Sequence, residues 1–178
     1  RDIKPENISI APDWSAIIMD FGLAKQIGEE DFRGERSGGD FNHEITQNGA
    51  LIGTPLYLAP EIAQGAEASK LSDVYALGMV LYFVLNKGKS AYARNNATLD
   101  ELLRKIINVP PHRIRGLDDD LWAICAKALC KDPARRLRSS AEFARALRQY
   151  LAGQALPPEI YHGGSGYRLR KWLGRKRK

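Results

Sequence analysis

The chain has 178 residues, of which 44% are hydrophobic, enough for one domain with its own core. Its net charge of +6 invites a nucleic-acid reading, but the charge is local: Arg168, Arg170, Lys171, Arg175, Lys176, Arg177 and Lys178 carry seven cations, and setting them aside turns +6 into −1. No segment reads as a signal peptide or an internal repeat, and His43, His112 and His162 are too scattered for a ligand pattern.

In chain order, Arg1-Asp2-Ile3-Lys4-Pro5-Glu6-Asn7 comes first, and Asp20-Phe21-Gly22 follows. Phosphoryl transfer needs a placed hydroxyl, an in-line phosphate and metal ions that hold negative charge. Asp2 supplies a carboxylate for the hydroxyl, and Lys4 supplies a cation on the same side of an extended loop. Asn7 offers an amide oxygen and Asp20 a carboxylate, both hard ligands suited to Mg²⁺. Between them, Ile8-Ser9-Ile10 and Ala16-Ile17-Ile18-Met19 flank a bend at residues 11–15, which predicts a hairpin. Asn7 and Asp20 converge only if that hairpin forms.

From Leu23 to Pro60 the chain is polar and rich in glycine, as expected of a mobile loop. Leu71–Leu85 is almost wholly apolar and predicts a buried helix. Thr98–Ile107 has helical spacing with Thr98 as cap, and Pro110-Pro111 ends it. Leu117–Leu129 predicts another helix, in which Asp118-Asp119-Asp120 is a capping run rather than a metal cluster. Ser140–Leu151 predicts the last helix, with Phe143, Ala144, Leu147 and Leu151 on one face. Cys125 and Cys130 fall far apart around a helix axis, so no disulfide is expected, which suits a cytoplasmic setting.

Taken together, these stretches resemble the C-terminal lobe of Hanks-type serine/threonine protein kinases, most closely the bacterial branch. Gly53-Thr54-Pro55-Leu56-Tyr57-Leu58-Ala59-Pro60-Glu61 resembles the end of an activation segment. Ser72-Asp73-Val74-Tyr75-Ala76-Leu77-Gly78 resembles the start of the central helix, and Leu129-Cys130-Lys131-Asp132-Pro133-Ala134-Arg135-Arg136 the late signature. The fold implied is mainly α with a small β-hairpin. The resemblance spans residues 1–152, with a Pro/Gly linker expected over 153–166 and a basic tail over 167–178.

The resemblance implies roles for individual residues. Asp2 would be the catalytic base, Lys4 would touch the γ-phosphate of ATP, and Asn7 and Asp20 would hold Mg²⁺. Thr54 would hydrogen-bond toward Asp2 and Lys4; Glu61 would pair with Arg136, and Asp73 would brace the catalytic loop. Arg1 before the catalytic Asp implies control by a loop phosphate, with Thr46 preferred over Ser37 as the site. Lys4 and Gly53-Thr54 favour Ser/Thr acceptors on protein substrates over tyrosine.

The Gly-rich loop, strand Lys and helix Glu of the N-terminal lobe are not found among these residues, so the chain alone is expected to be inactive, with that lobe as its missing partner. A non-catalytic, pseudokinase-like scaffold is the rival reading. Three readings of the run Arg168–Lys178 stand: a solvated basic end, a cytoplasmic segment at an anionic membrane surface, and, third, nucleic-acid binding.

Overall fold

The computed structural model describes residues 3–19, 55–92, 98–161, 163–164, 166–169 and 171. The expected hairpin is present: β1 (Ile8–Ile10) pairs antiparallel with β2 (Ala16–Ile18), with Ser9 opposite Ile17. Its bend is held by Asp13, whose carboxylate accepts from the Ser15 N–H at 3.0 Å and the Ser15 hydroxyl at 2.7 Å. Those bonds hold the Asp13 carboxyl below its ordinary range.

The remaining described elements are helical: α1 (Pro60–Ala63), α2 (Lys70–Leu85), α3 (Leu99–Asn108), α4 (Asp119–Ala128) and α5 (Ser140–Leu151), with short 3₁₀ turns at Pro5–Asn7, Pro55–Tyr57 and Pro133–Arg135. The sequence marks their starts chemically. Ser69 and Ser72 form a reciprocal capping box on α2, and Thr98 and Glu101 do the same on α3. Asp118 caps α4 by accepting from the Asp120 and Leu121 N–H groups, so the acidic run begins as the capping device expected of it. Its next member, Asp119, pairs with Arg113.

Helix α2 is the axis of the core. Tyr75, Met79 and Tyr82 pack on one side with Cys125, Leu129, Leu102 and Ile106. Val74 packs on the other with Ile124, Ala128, Leu137, Phe143, Ala146 and Leu156. A helix sandwiched in this way needs apolar residues around most of its circumference, which is why its sequence shows no polar stripe. Gly78 permits a close approach of α2 to α4: a Cβ there would lie 2.9 Å from that of Ala128.

One expectation needs correction. Leu151 is not on the buried face of α5 but 81% exposed, whereas Ala146 is buried. At about 100° per residue, position 151 lies about 80° from Phe143 around the axis, while 147 and 150 lie within about 40°. Leu147 and Tyr150 accordingly pack on the core. After α5 the described residues return to the helical core. Leu156 and Tyr167 are buried, and Lys171 pairs with Asp120 on α4. Among the described residues no helix is long and apolar enough to cross a membrane.

Candidate active site

Lys4 has extended backbone geometry and leads into a 3₁₀ turn over Pro5–Asn7, with the proline at its first position, where a missing N–H costs nothing. The turn is closed by the Asn7 N–H donating to the Lys4 carbonyl at 3.0 Å. Asn7 is the one buried residue of that turn. At the mouth of the hairpin the Met19 N–H donates to the Asn7 carbonyl at 2.7 Å. The ladder therefore runs one step beyond the two strands and fixes Asn7 beside the residue that precedes Asp20. Arg1, Asp2, Asp20, Ser37, Thr46 and Thr54 lie outside the described residues.

The second group of expected residues meets at the base of α1 and α2. Glu61, in the first turn of α1, receives two parallel bonds from Arg136: Nη1 to Oε1 at 2.6 Å and Nη2 to Oε2 at 2.5 Å. Arg136 also donates from Nε to the Cys130 carbonyl at 2.7 Å, from Nη1 to the Leu71 carbonyl at 2.9 Å and from Nη2 to the Lys131 carbonyl at 3.1 Å. All five guanidinium hydrogens are used, and the group lies 5.0 Å from the centre of the Tyr75 ring. The pairing expected of Glu61 and Arg136 is thus observed. Asp73 sits half-buried in the first turn of α2, and the start of the catalytic loop that it was expected to brace, residues 1 and 2, lies outside the described residues.

Lys131 was not singled out in the sequence, yet it is a central group of this region. Its ammonium donates to the Tyr92 hydroxyl at 2.8 Å, to the Tyr75 hydroxyl at 3.3 Å and to the Ile106 carbonyl. Burial, with the Arg136 guanidinium second, pushes its pKa down to about 8. Burial likewise pushes the Tyr92 phenol up to about 12. The available signal was Tyr75: a tyrosine inside an apolar helix carries a hydroxyl that needs a partner.

Asn7 is buried at the hairpin mouth, and its side-chain amide carries an oxygen of the hard type that divalent cations take. No cluster of three or more His, Cys, Asp or Glu side chains competes for a metal among the described residues.

Residues 1–149 match the model of the protein kinase domain family. The chain is 37% identical over 161 residues to the serine/threonine-protein kinase PknB of Mycobacterium tuberculosis, covering 89% of this chain and 24% of that protein. It is 35% identical over 161 residues to PknB of Mycobacterium leprae, covering 89% of the chain and 24% of the relative. It is 36% identical over 157 residues to the serine/threonine-protein kinase PknA of Mycobacterium tuberculosis, covering 88% and 33%. The chain thus spans about a quarter to a third of the length of these relatives. With the ordered motifs, the hairpin and the Glu61–Arg136 pair in place, the chain belongs to the protein kinase domain family, in its bacterial Hanks-type serine/threonine branch.

Proposed function

We propose that these residues form the C-terminal lobe of a kinase that transfers the γ-phosphate of ATP to serine or threonine of protein substrates. The observation that supports this reading is the 2.7 Å bond from the Met19 N–H to the Asn7 carbonyl, which sets Asn7 beside the residue that precedes Asp20 in the sequence. Asp2 accepts the proton of the substrate hydroxyl as its oxygen bonds to the γ-phosphorus. The bond from phosphorus to the bridging oxygen breaks, and ADP leaves. Lys4 places its ammonium on the transferring phosphate. Asn7 and Asp20 hold Mg²⁺, which neutralises charge on the phosphate oxygens when bound. Thr54 closes the substrate side, and Arg1 receives a loop phosphate on Thr46.

Support for the serine/threonine assignment comes from Lys4 and Thr54 in the sequence and from these relatives, which are serine/threonine-protein kinases by name. The decisive experiment is Asp2→Asn in a protein that carries these residues and phosphorylates a substrate. Transfer from ATP should fall by at least about a hundredfold with the fold intact. Wild-type rates from that variant would remove Asp2 from the role.

A further inference from the structure

Asp120 is only 3% exposed, although it stands in the first turn of a helix, where a carboxylate is usually solvated. The cation that meets it comes from far along the chain: Lys171 Nζ lies 2.5 Å from Asp120 Oδ2. Lys171 is itself partly covered and lies 5.9 Å from the centre of the Tyr167 ring. Tyr167 is buried and packs edge-on against Tyr161 at 4.9 Å between centroids. Its hydroxyl accepts from the N–H of Leu156 at 3.0 Å, and Leu156 belongs to the cluster beneath α2 and α5. Gly163 has no room for a side chain: an added Cβ would lie 2.6 Å from Tyr167 Cβ and 2.7 Å from Tyr161 Cε1.

We propose that the segment carrying Leu156, Tyr161, Gly163, Tyr167 and Lys171 is a strap that docks on the start of α4 and releases as one unit, with Tyr167 as its plug and Lys171–Asp120 as its lock. The two contacts reinforce each other. Seating Tyr167 sets the following helical residues over α4, which delivers Lys171 to the buried carboxylate. Withdrawing Lys171 leaves Asp120 buried and uncompensated, which favours opening. On release, Asp120 joins Asp118 and Asp119 as an acidic edge, and the first cations of the basic run separate from the lobe. The strap is thus a charge-paired closure built into the chain, independent of the transfer chemistry.

The Leu156 amide reports the docked state directly, because its acceptor is the Tyr167 hydroxyl. Its hydrogen exchange is measured in the 178-residue chain, with the Met79 amide of α2 as the reference for the core. Lys171→Met should speed exchange at Leu156 by about tenfold or more while Met79 keeps its protection. Asp120→Asn in the same chain should reverse most of that gain, since a neutral amide does not need the cation. Gly163→Ala should unseat Tyr167 by crowding alone and again expose Leu156 but not Met79. Unchanged protection of Leu156 in Lys171→Met would overturn the lock. Loss of protection at Met79 together with Leu156, in Lys171→Met or in Gly163→Ala, would overturn the strap as a separate unit.

Discussion

Arg136 and Glu61 are joined by a two-pronged bond of 2.6 and 2.5 Å across 75 positions of sequence. The pair connects α1, which begins five residues after Pro55, to the turn after α4. Arg136 is fully covered on its side chain, and Glu61 is 16% exposed. The guanidinium also holds three carbonyls, at Leu71, Cys130 and Lys131, so it ties three pieces of chain to one point. A pair of this kind adds little net stability over apolar residues of the same shape, but it is costly to break from one side.

Arg136→Ala should therefore destabilise the chain by about 3–5 kcal/mol, because Glu61 and three carbonyls lose their donor together. Arg136→Lys keeps the charge but supplies three hydrogens where five are used, and its loss should be close to that of the alanine variant. Urea unfolding of both variants measures this. A lysine variant as stable as the wild type would show that charge alone, not the planar fork, holds Glu61.

Stability should depend on pH in a pattern set by Lys131. Its pKa falls from 10.5 to about 8, so between those values the unfolded chain holds a proton that the native chain has lost, and stability rises with pH. Cys125, pushed from 9.0 to about 12, and Tyr92 and Tyr57, pushed from 10.0 to about 12, act in the opposite sense above their ordinary values. The outcome is a rise from about pH 8 to 9, a plateau, and a fall above about 10. In Lys131→Met the rise should vanish. Denaturation midpoints across this range test it, and an identical profile in both proteins would rule out Lys131 as the source.

Gly78→Ala should destabilise, against the usual trend for a helix. In an exposed helix interior the change gains about 1 kcal/mol. Here the new methyl would lie 2.9 Å from Ala128 Cβ and 3.0 Å from Leu129 Cδ2. Moving α4 away from α2 should cost about 1–3 kcal/mol. The close approach is also visible in the Cys125 thiol, 3.9 Å from the Gly78 carbonyl. A higher thermal midpoint in the alanine variant would contradict this account of the α2–α4 contact.

The two cysteines, both free, should react at very different rates. Cys125 is fully buried, and burial pushes its thiol up to about 12, so little thiolate forms. Cys130 is half-buried beside a groove of about 540 Å³ that Trp122, Lys127 and Arg135 help to line. A thiol reagent should modify Cys130 in the native chain and reach Cys125 only on unfolding. Cys130→Ser should abolish the native reaction; an undiminished rate in that variant would place the accessible thiol at Cys125.

Much of this architecture is legible locally. The β-hairpin follows from apolar runs around a Pro-Asp bend, and α3 follows from apolar spacing behind Thr98. The caps at Thr98 and Asp118 are short-range devices, read within a few residues. The place of Asn7 at the mouth of the hairpin is legible for a related reason: it depends on separations along one turn and hairpin, and sequence spacing preserves separations.

The sequence by itself determined the family, the helical character and the order of the candidate catalytic residues, because these are written in local pattern and motif. Only the tertiary structure decided that Leu151 faces outward while Leu156 and Tyr167 face inward, that Lys131 is anchored by two tyrosines and a carbonyl of α3, and that Lys171 neutralises Asp120. Each of those outcomes depends on partners tens of residues away. Burial and charge pairing there are set by which surfaces the packed helices bring together, and no window along the chain contains that information.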